Sequence, residues 1–308
     1  MIKVHGQAGI SATVIQDSIS PKGKRIITYE LVYHRYIHSE FMTHRVFSRN
    51  AASSRAIPVE KMHENIRANP ARPIVWQKNQ AGMQSKVNLE GTELKKAIDA
   101  WDAAVEDSLF NSTKLMEAGL HKQWANRGNE AYQMMKTVMT TTEDENWFEL
   151  RDHQDAQPEI HELARCMKEA KEISKPFLVQ YSEWHVPYVE RTRDLMGGSA
   201  VYRDSAGVVL STKDALMISA SCCAQVSYRK SDDTLDKAKN IFDRLINSKP
   251  QHASPIEHQA TPLAKDRALF DFSPGLWEPG VTHMTKEGWL GSGNFIGWIQ
   301  HRQLINQA

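Results

Sequence analysis

Three polar clusters hold the residues whose types and spacing could do chemistry. The first, Thr43-His44-Arg45-Val46-Phe47-Ser48-Arg49-Asn50-Ala51-Ala52-Ser53-Ser54-Arg55, places three arginines, a histidine, an asparagine and three serines within thirteen positions. A guanidinium offers a fixed fork of donors suited to phosphate or to a planar pyrimidine edge, and serine hydroxyls and turn amides complete such a cradle. A phosphorylated ligand is one reading of this stretch; a solvated basic helix end running into a serine-rich loop is the other. The second cluster runs from Leu150 to Ile160 and carries Arg151 at the end of a short helix. There a guanidinium could polarise a carbonyl-bearing ring, or merely cap carbonyls or pair with Asp152 or Asp155.

The third cluster is His252-Ala253-Ser254-Pro255-Ile256-Glu257-His258. Ser254 with Glu257 three positions later reads as a capping box opening a helix, while His252 and His258 titrate near neutrality and could serve proton transfer or a cofactor. Other polar sets point away from chemistry. His34 and His38 fall in a strand-like segment where four residues spread two ligands too far for one metal ion. Gly291-Ser292-Gly293-Asn294-Phe295 lacks the lysine of a phosphate loop and reads as a turn. Cys222-Cys223 lies on an apolar helix with nothing near in sequence to lower a thiol pKa, so it reads as core packing.

The elements that must position these clusters are mixed. Arg25 to Tyr36 is rich in β-branched and aromatic residues and predicts a strand. Ser39 is placed to cap a short helix through Phe47, leaving Ser53 to Arg55 in a loop, and Pro58 starts another short helix. Asn69 to Gly91 carries prolines, glycine and glutamines without periodicity, which predicts a long surface loop able to act as a lid. Leu94, Ile98, Trp101, Val105 and Leu109 form one stripe of a core helix ending near Gly119.

His121 to Glu130 is helical, Tyr132 to Thr142 strand, and Glu143 to Arg151 helical again. From Pro158 the residues Ile160, Leu163, Met167, Ala170 and Ile173 make an apolar helix face. Pro176 to Leu210 is irregular and aromatic. Helices follow over Thr212 to Val226 and Thr234 to Ser248, the second burying Leu235, Ala238, Phe242 and Leu245. No internal repeat is present.

The bulk composition narrows the ligand. A chain of 308 residues with 41% hydrophobic and 24% charged residues has the profile of an ordinary globular protein. Lys+Arg 38 against Asp+Glu 37 leaves a net charge of +1, so no broad footprint for nucleic acid exists and an anion site must be local. The three cysteines, Cys166, Cys222 and Cys223, form no zinc-ligand spacing. With no signal-peptide-like start and no membrane-length apolar run, a soluble cytoplasmic protein is expected.

Taken together, the three clusters resemble the flavin-dependent thymidylate synthases, whose signature is Arg-His-Arg, seven residues and a serine. Thr43-His44-Arg45 followed by Ser53 matches it. The family's Leu-Arg-x-x-x-x-Ala-Gln-x-Glu-Ile stretch is matched by Leu150-Arg151 through Ala156-Gln157-Pro158-Glu159-Ile160. Its His-x-Thr-Pro-x-Glu-His element, after an Ala-x-x-Val-Ser-Tyr helix end, is matched by His252 to His258 and by Ala224-Gln225-Val226-Ser227-Tyr228. In the family the His-x-Thr-Pro element comes first; here it comes last, so the chain resembles a circular permutation.

The resemblance implies an α+β fold, a central mostly antiparallel sheet flanked by helices, as one domain over 1–308 with insertions near 69–91 and 176–210. It implies a homotetramer that holds FAD beside a deoxypyrimidine monophosphate and transfers a one-carbon unit from methylene-tetrahydrofolate to the 5-carbon of dUMP, giving dTMP, with NADPH as reductant and no protein nucleophile. His44, Arg45, Asn146, Ser254 and Glu257 would face flavin. Ser53, Ser54, Arg55 and Arg127 would hold the nucleotide, Arg151 would polarise the pyrimidine, and His252 would sit beside flavin and folate. Metal, membrane and nucleic acid have no place in this scheme.

The chain departs from the family at Thr43 for arginine, Ala51 for glutamate, Ser54 for glycine, and Thr140 to Thr142 for an Asn-x-Arg flavin contact. Arg49 is a candidate to replace the charge missing at Thr43. A relative that installs another 5-substituent, such as hydroxymethyl, on dUMP or dCMP is the close alternative; a non-catalytic nucleotide- or RNA-binding protein is the alternative of another class.

Overall fold

The computed structural model describes residues 1–82, 85–194, 198–227, 232–265 and 274–305. Its centre is a sheet of β1 (Ile2–His5), β2 (Ser11–Ile19), β3 (Arg25–His34), β4 (Ser48–Ala51) and β5 (Met134–Thr141), in the order β1-β2-β3-β5-β4, all antiparallel. A sixth strand, β6 (Phe177–Leu178), adds in parallel to the far end of β2. Helices flank the sheet, so the expected α+β class with a mostly antiparallel sheet holds.

Strand alternation gives each face its own partner. Ile27, Tyr29, Leu31 and Tyr33 of β3 and Met135 and Met139 of β5 join the main core with Ile160, Leu163, Ala164, Met167 and Ala170 of the helix Pro158–Ile173. At roughly 1.5 to 3 kcal/mol for each large aliphatic side chain buried, this seam fixes the register of the sheet. The opposite face carries Thr28, Val138 and Thr140. Val138 packs on Cys223 and Val226 at the end of the helix Thr212–Ala224. Burial pushes the Cys222 thiol up to about 12 and the Cys223 thiol well above its ordinary value, in keeping with core cysteines.

Several elements differ from expectation. The strand from Arg25 stops at His34, and Arg35–Ile37 is a 3-10 turn. The following helix is only His38–Phe41, without a side-chain cap from Ser39, so His44 and Arg45 lie in a turn beyond it. His38 opens this helix instead of continuing the strand; His34 bonds Tyr36 and the Ala8 carbonyl, while His38 bonds Tyr33. Ser48–Ala51, expected to lie between helix and loop, is the edge strand β4. Arg49 donates through Nη1 to the Met42 and His44 carbonyls at 3.1 and 2.9 Å and so shapes the turn that carries Thr43.

The stripe from Leu94 falls on the helix Gly91–Glu117, closed by Gly119 at φ +85°. It is not part of the main core. Only Val105, Leu109 and Ser112 are buried, because the partners of this helix are short elements, the helices Val59–Ala68 and Lys122–Ala125 and the 3-10 turn Asn126–Tyr132, which cover little of its length. Residues 176–210 are more ordered than expected: Glu190–Arg193, Ala200–Arg203 and Val209–Leu210 form a small antiparallel sheet, with Val186, Val189 and Tyr202 packed on Ile218 and Cys222. Tyr228, from the helix end that precedes the third motif, lies outside the described residues.

Candidate functional site

The helix Glu145–Arg151 brings the second cluster to the first. Trp147 is fully buried against Phe41 and Phe47, and its ring meets the His44 ring edge-on at 4.8 Å. Arg151 is one turn further on the same helix face. Its Nε donates to His44 Nε2 at 3.0 Å and its Nη1 to the Glu40 carboxylate. Neither Asp152 nor Asp155 takes it, since Asp152 pairs with Lys168 and the partner of Arg151 comes from more than a hundred residues away.

Burial, followed by the positive charges of Arg151 and Arg49, pushes the His44 imidazole down to about 4. His44 is therefore neutral at pH 7 with its proton on Nδ1, which is what lets Nε2 accept from a guanidinium. Among the described residues, Nη2 of Arg151 has no protein partner.

Arg151 and Glu40 stand on the wall of a cavity of about 680 Å³. Asp155, Ala156, Gln157, Pro158 and Glu159 of the second motif line it, as do Tyr36 and Trp101. Glu159 is 4% exposed and accepts from the Ile74 amide at 2.9 Å and from Gln157 at 2.9 Å, which ties the motif to the 69–91 loop. Burial and the nearby Glu159 carboxylate push the Tyr36 phenol up, so it is a neutral hydroxyl.

The loop supplies Pro73, Val75 and Gln77 to the same wall. It is held by the Trp76 ring edge-on to Trp101 at 6.0 Å, the Trp101 indole bonded to the Ala71 carbonyl, and a short hairpin pairing Gln77 with Asn88. A half-buried arginine, a carboxylate, aromatic walls and a volume of this size suit a planar polar ring.

The third cluster approaches from the other edge of β4. Gln300 Nε2 donates to Ser48 Oγ and to the Glu257 carbonyl, both at 3.0 Å. Ser254–Glu257 is a single 3-10 turn, so the expected capping box does not form; Glu257 pairs instead with Arg302. His258 is fully buried and bonded to Thr140, and burial pushes it down to about 3, contrary to a histidine titrating near neutrality. His252 and Ser254 are exposed.

The residues expected to hold phosphate form their own group. Ser54 is 2% exposed and donates to Glu130 at 3.0 Å; Arg127 and Arg35 pair with the same carboxylate oxygen at 2.9 Å each. Arg55 is exposed, and the Ser53 amide donates to Ser227 Oγ at 2.9 Å. None of these residues lines the 680 Å³ cavity; the nearest in sequence is Glu130, which precedes the cavity-lining Ala131. Glu40, Tyr36, Trp101 and Glu130 were not singled out from the sequence as site residues. Only the i, i+4 spacing of Tyr36 and Glu40 and the apolar stripe of Trp101 hinted at them.

The residues assigned to flavin do not form one cradle in a single chain. Arg45, Asn146 and Ser254 are exposed, His44 and Glu257 are engaged by Arg151 and Arg302, and none of the five lines the 680 Å³ cavity. Thr140 faces inward, bonded to Thr28 and His258.

Fold and site together define an α+β protein with an aromatic-walled cavity that carries a fixed guanidinium–carboxylate pair. No protein-family model matches the chain, and no curated protein does. Among solved structures, one similar to it is a UMP/dUMP methylase, PolB from Streptomyces cacaoi, bound with 5-Br UMP. The two share 15% identity over 55% of this chain and 91% of that one, with a TM-score of 0.46. A likeness of that degree carries no argument about the chemistry of this chain.

Proposed function

We propose that this protein binds a deoxypyrimidine monophosphate in the 680 Å³ cavity and modifies the pyrimidine 5-carbon, with dUMP to dTMP as the leading reaction. One observation carries the reading: Arg151, from the Leu-Arg motif, is fixed by Glu40 and by His44 of the Arg-His-Arg-like motif on the wall of that cavity. For C5 of the pyrimidine to act as a nucleophile toward a one-carbon donor, electron density must first build in the ring, and it is shared with the ring oxygen and nitrogen. A guanidinium already oriented stabilises that charge without reorganising. Trp101 and Tyr36 offer flat walls for the ring, and Arg127 and Arg55 are the residues we assign to the phosphate.

FAD, NADPH and methylene-tetrahydrofolate enter as the one-carbon and redox partners the motifs imply; bound flavin would supply hydride. Because one chain does not gather the flavin contacts, we place that site between copies in a homotetramer, where exposed Arg45, Asn146 and Ser254 could meet a second subunit. Phe110, Leu115, Leu120 and Trp124, all exposed, give such an assembly an apolar surface to bury. Transfer of another group, such as hydroxymethyl, to dUMP or dCMP is the second reading, favoured by Thr140, which is turned inward where the family has a flavin contact. The permuted order of the motifs belongs to the same proposal.

The test is incubation of the protein with FAD, NADPH, methylene-tetrahydrofolate and either dUMP or dCMP, followed by mass analysis of the nucleotide. A gain of one methyl on dUMP supports the leading reading, and a hydroxymethyl gain supports the second. No mass change with either nucleotide, in protein shown to be folded, refutes both.

A further inference from the structure

A chain of buried polar groups crosses the sheet on the face away from the main core. Arg191 Nη2 donates to Ser18 Oγ at 2.9 Å, and Ser18 Oγ lies 2.6 Å from His185 Nδ1. His185 Nε2 is 2.8 Å from Thr28 Oγ1, Thr28 is 2.7 Å from Thr140 Oγ1, and Thr140 is 2.9 Å from His258 Nδ1. Ser18, Thr28, Thr140, His185 and His258 are all 0% exposed. The sheet register makes the central link, since Thr28 and Thr140 are direct cross-strand partners. Beyond this chain, His258 Nε2 is buried with no partner among the described residues.

Each hydroxyl has one proton to give, and a guanidinium can only donate. With Arg191 donating to Ser18, the Ser18 proton is satisfied by going to His185 Nδ1. His185 then carries its proton on Nε2 and gives it to Thr28, Thr28 gives to Thr140, and Thr140 gives to His258 Nδ1. Each direction leaves one buried donor without an acceptor among the described residues, His258 Nε2–H in this one and Ser18 O–H in the reverse; what separates them is that the reverse aims the His185 Nδ1–H at the oxygen already taken by the Arg191 cation. Burial and the Arg191 charge hold His185 neutral, and burial holds His258 neutral, so neither ring can donate at both nitrogens.

We propose that Arg191 and His185 are positioning residues that impose one direction on this chain, so that His258 keeps its proton on Nε2 and presents it as a donor. Both come from the 176–210 segment outside the family-like motifs, whereas His258 ends the His-x-Thr-Pro-like one. The segment is thus hydrogen-bonded through the sheet to the third cluster. Only the naming of this region as a ligand site rests on the proposed function; the direction of the chain does not.

Long-range 1H–15N spectra of the imidazoles in the uniformly labelled full-length protein at neutral pH test this. A single Nε2–H tautomer is expected for both His185 and His258. Ser18→Ala, which cuts the link to Arg191, should bring in a second, Nδ1–H signal at His258, four links away, and Ser18→Thr, which keeps the hydroxyl, should abolish it. An Nδ1–H tautomer at either histidine in the wild type overturns the proposal, as does an unchanged His258 signal in folded Ser18→Ala. The expected tautomers in a protein that binds no nucleotide would sink the functional reading and leave this one standing.

Discussion

Replacing Arg151 by methionine tests the pairing at the heart of the site, because His44 reports on it. His44 is 8% exposed, and burial together with the Arg151 and Arg49 charges holds it at about 4. Burial persists in Arg151→Met but one of the two cations is lost. A unit charge a few ångströms away at a partly solvated site is worth about 1 kcal/mol, close to one pKa unit, so His44 should move to about 5.

The sign for stability follows. Above pH 6.5 His44 is neutral in both folded and unfolded chains. As pH falls from 6.5 toward 4 the unfolded chain takes up the proton first, so stability is lost across that window. The full shift in the wild type corresponds to at most about 3 kcal/mol, which solvent reaching the site reduces to about 1.5 kcal/mol; the variant should lose about 1 kcal/mol less. An NMR titration of the His44 ring protons, with urea unfolding at pH 7 and pH 4.5 for both proteins, measures each quantity. A His44 pKa unchanged in a folded Arg151→Met would show that the guanidinium does not face that ring.

Other perturbations follow from the same geometry. Trp147→Ala empties the space between Phe41, Phe47 and His44 and should cost about 3 to 5 kcal/mol in urea unfolding, so a loss under 1 kcal/mol would contradict its place in the core. Gln300→Leu leaves Ser48 and the Glu257 carbonyl without their shared donor and should cost about 1 to 3 kcal/mol by the same measurement. Glu130→Gln frees Arg35 and Arg127 from a competing carboxylate and should tighten dUMP binding by about threefold in calorimetry. Weaker binding would mean that Glu130 organises the site and does not compete with the ligand.

The parts of this protein legible from sequence are those set by short-range pattern. The β-branched run from Arg25, the strand before Thr142 and the apolar stripe from Ile160 all lie within one element, and each appears nearly where periodicity puts it. What escaped depends on partners distant in the chain. Arg151 next to Asp152 reads as a local ion pair, yet Trp147 anchors its helix so that the guanidinium reaches Glu40 and His44. Ser254 and Glu257 have capping-box spacing, but Glu257 is drawn off by Arg302 and only one 3-10 turn forms. Residues 176–210 look irregular because their strands are short and their stabilising contacts are with Ile218, Cys222 and the sheet.

The motifs located the three clusters, and the fold brings the first against each of the others, through Arg151 and His44 on one side and through Ser48, Gln300 and Glu257 on the other. The aromatic wall of the cavity, from Tyr36 and Trp101, carries no motif and emerges only from packing.

Isothermal titration of dUMP into the wild-type protein and into Arg151→Met addresses the central claim most directly. The account predicts saturable binding of one dUMP per cavity in the wild type and affinity lower by at least about tenfold in the variant, the loss expected for one charge-assisted contact. Equal affinity in the two folded proteins, or no binding to the wild type, would contradict it.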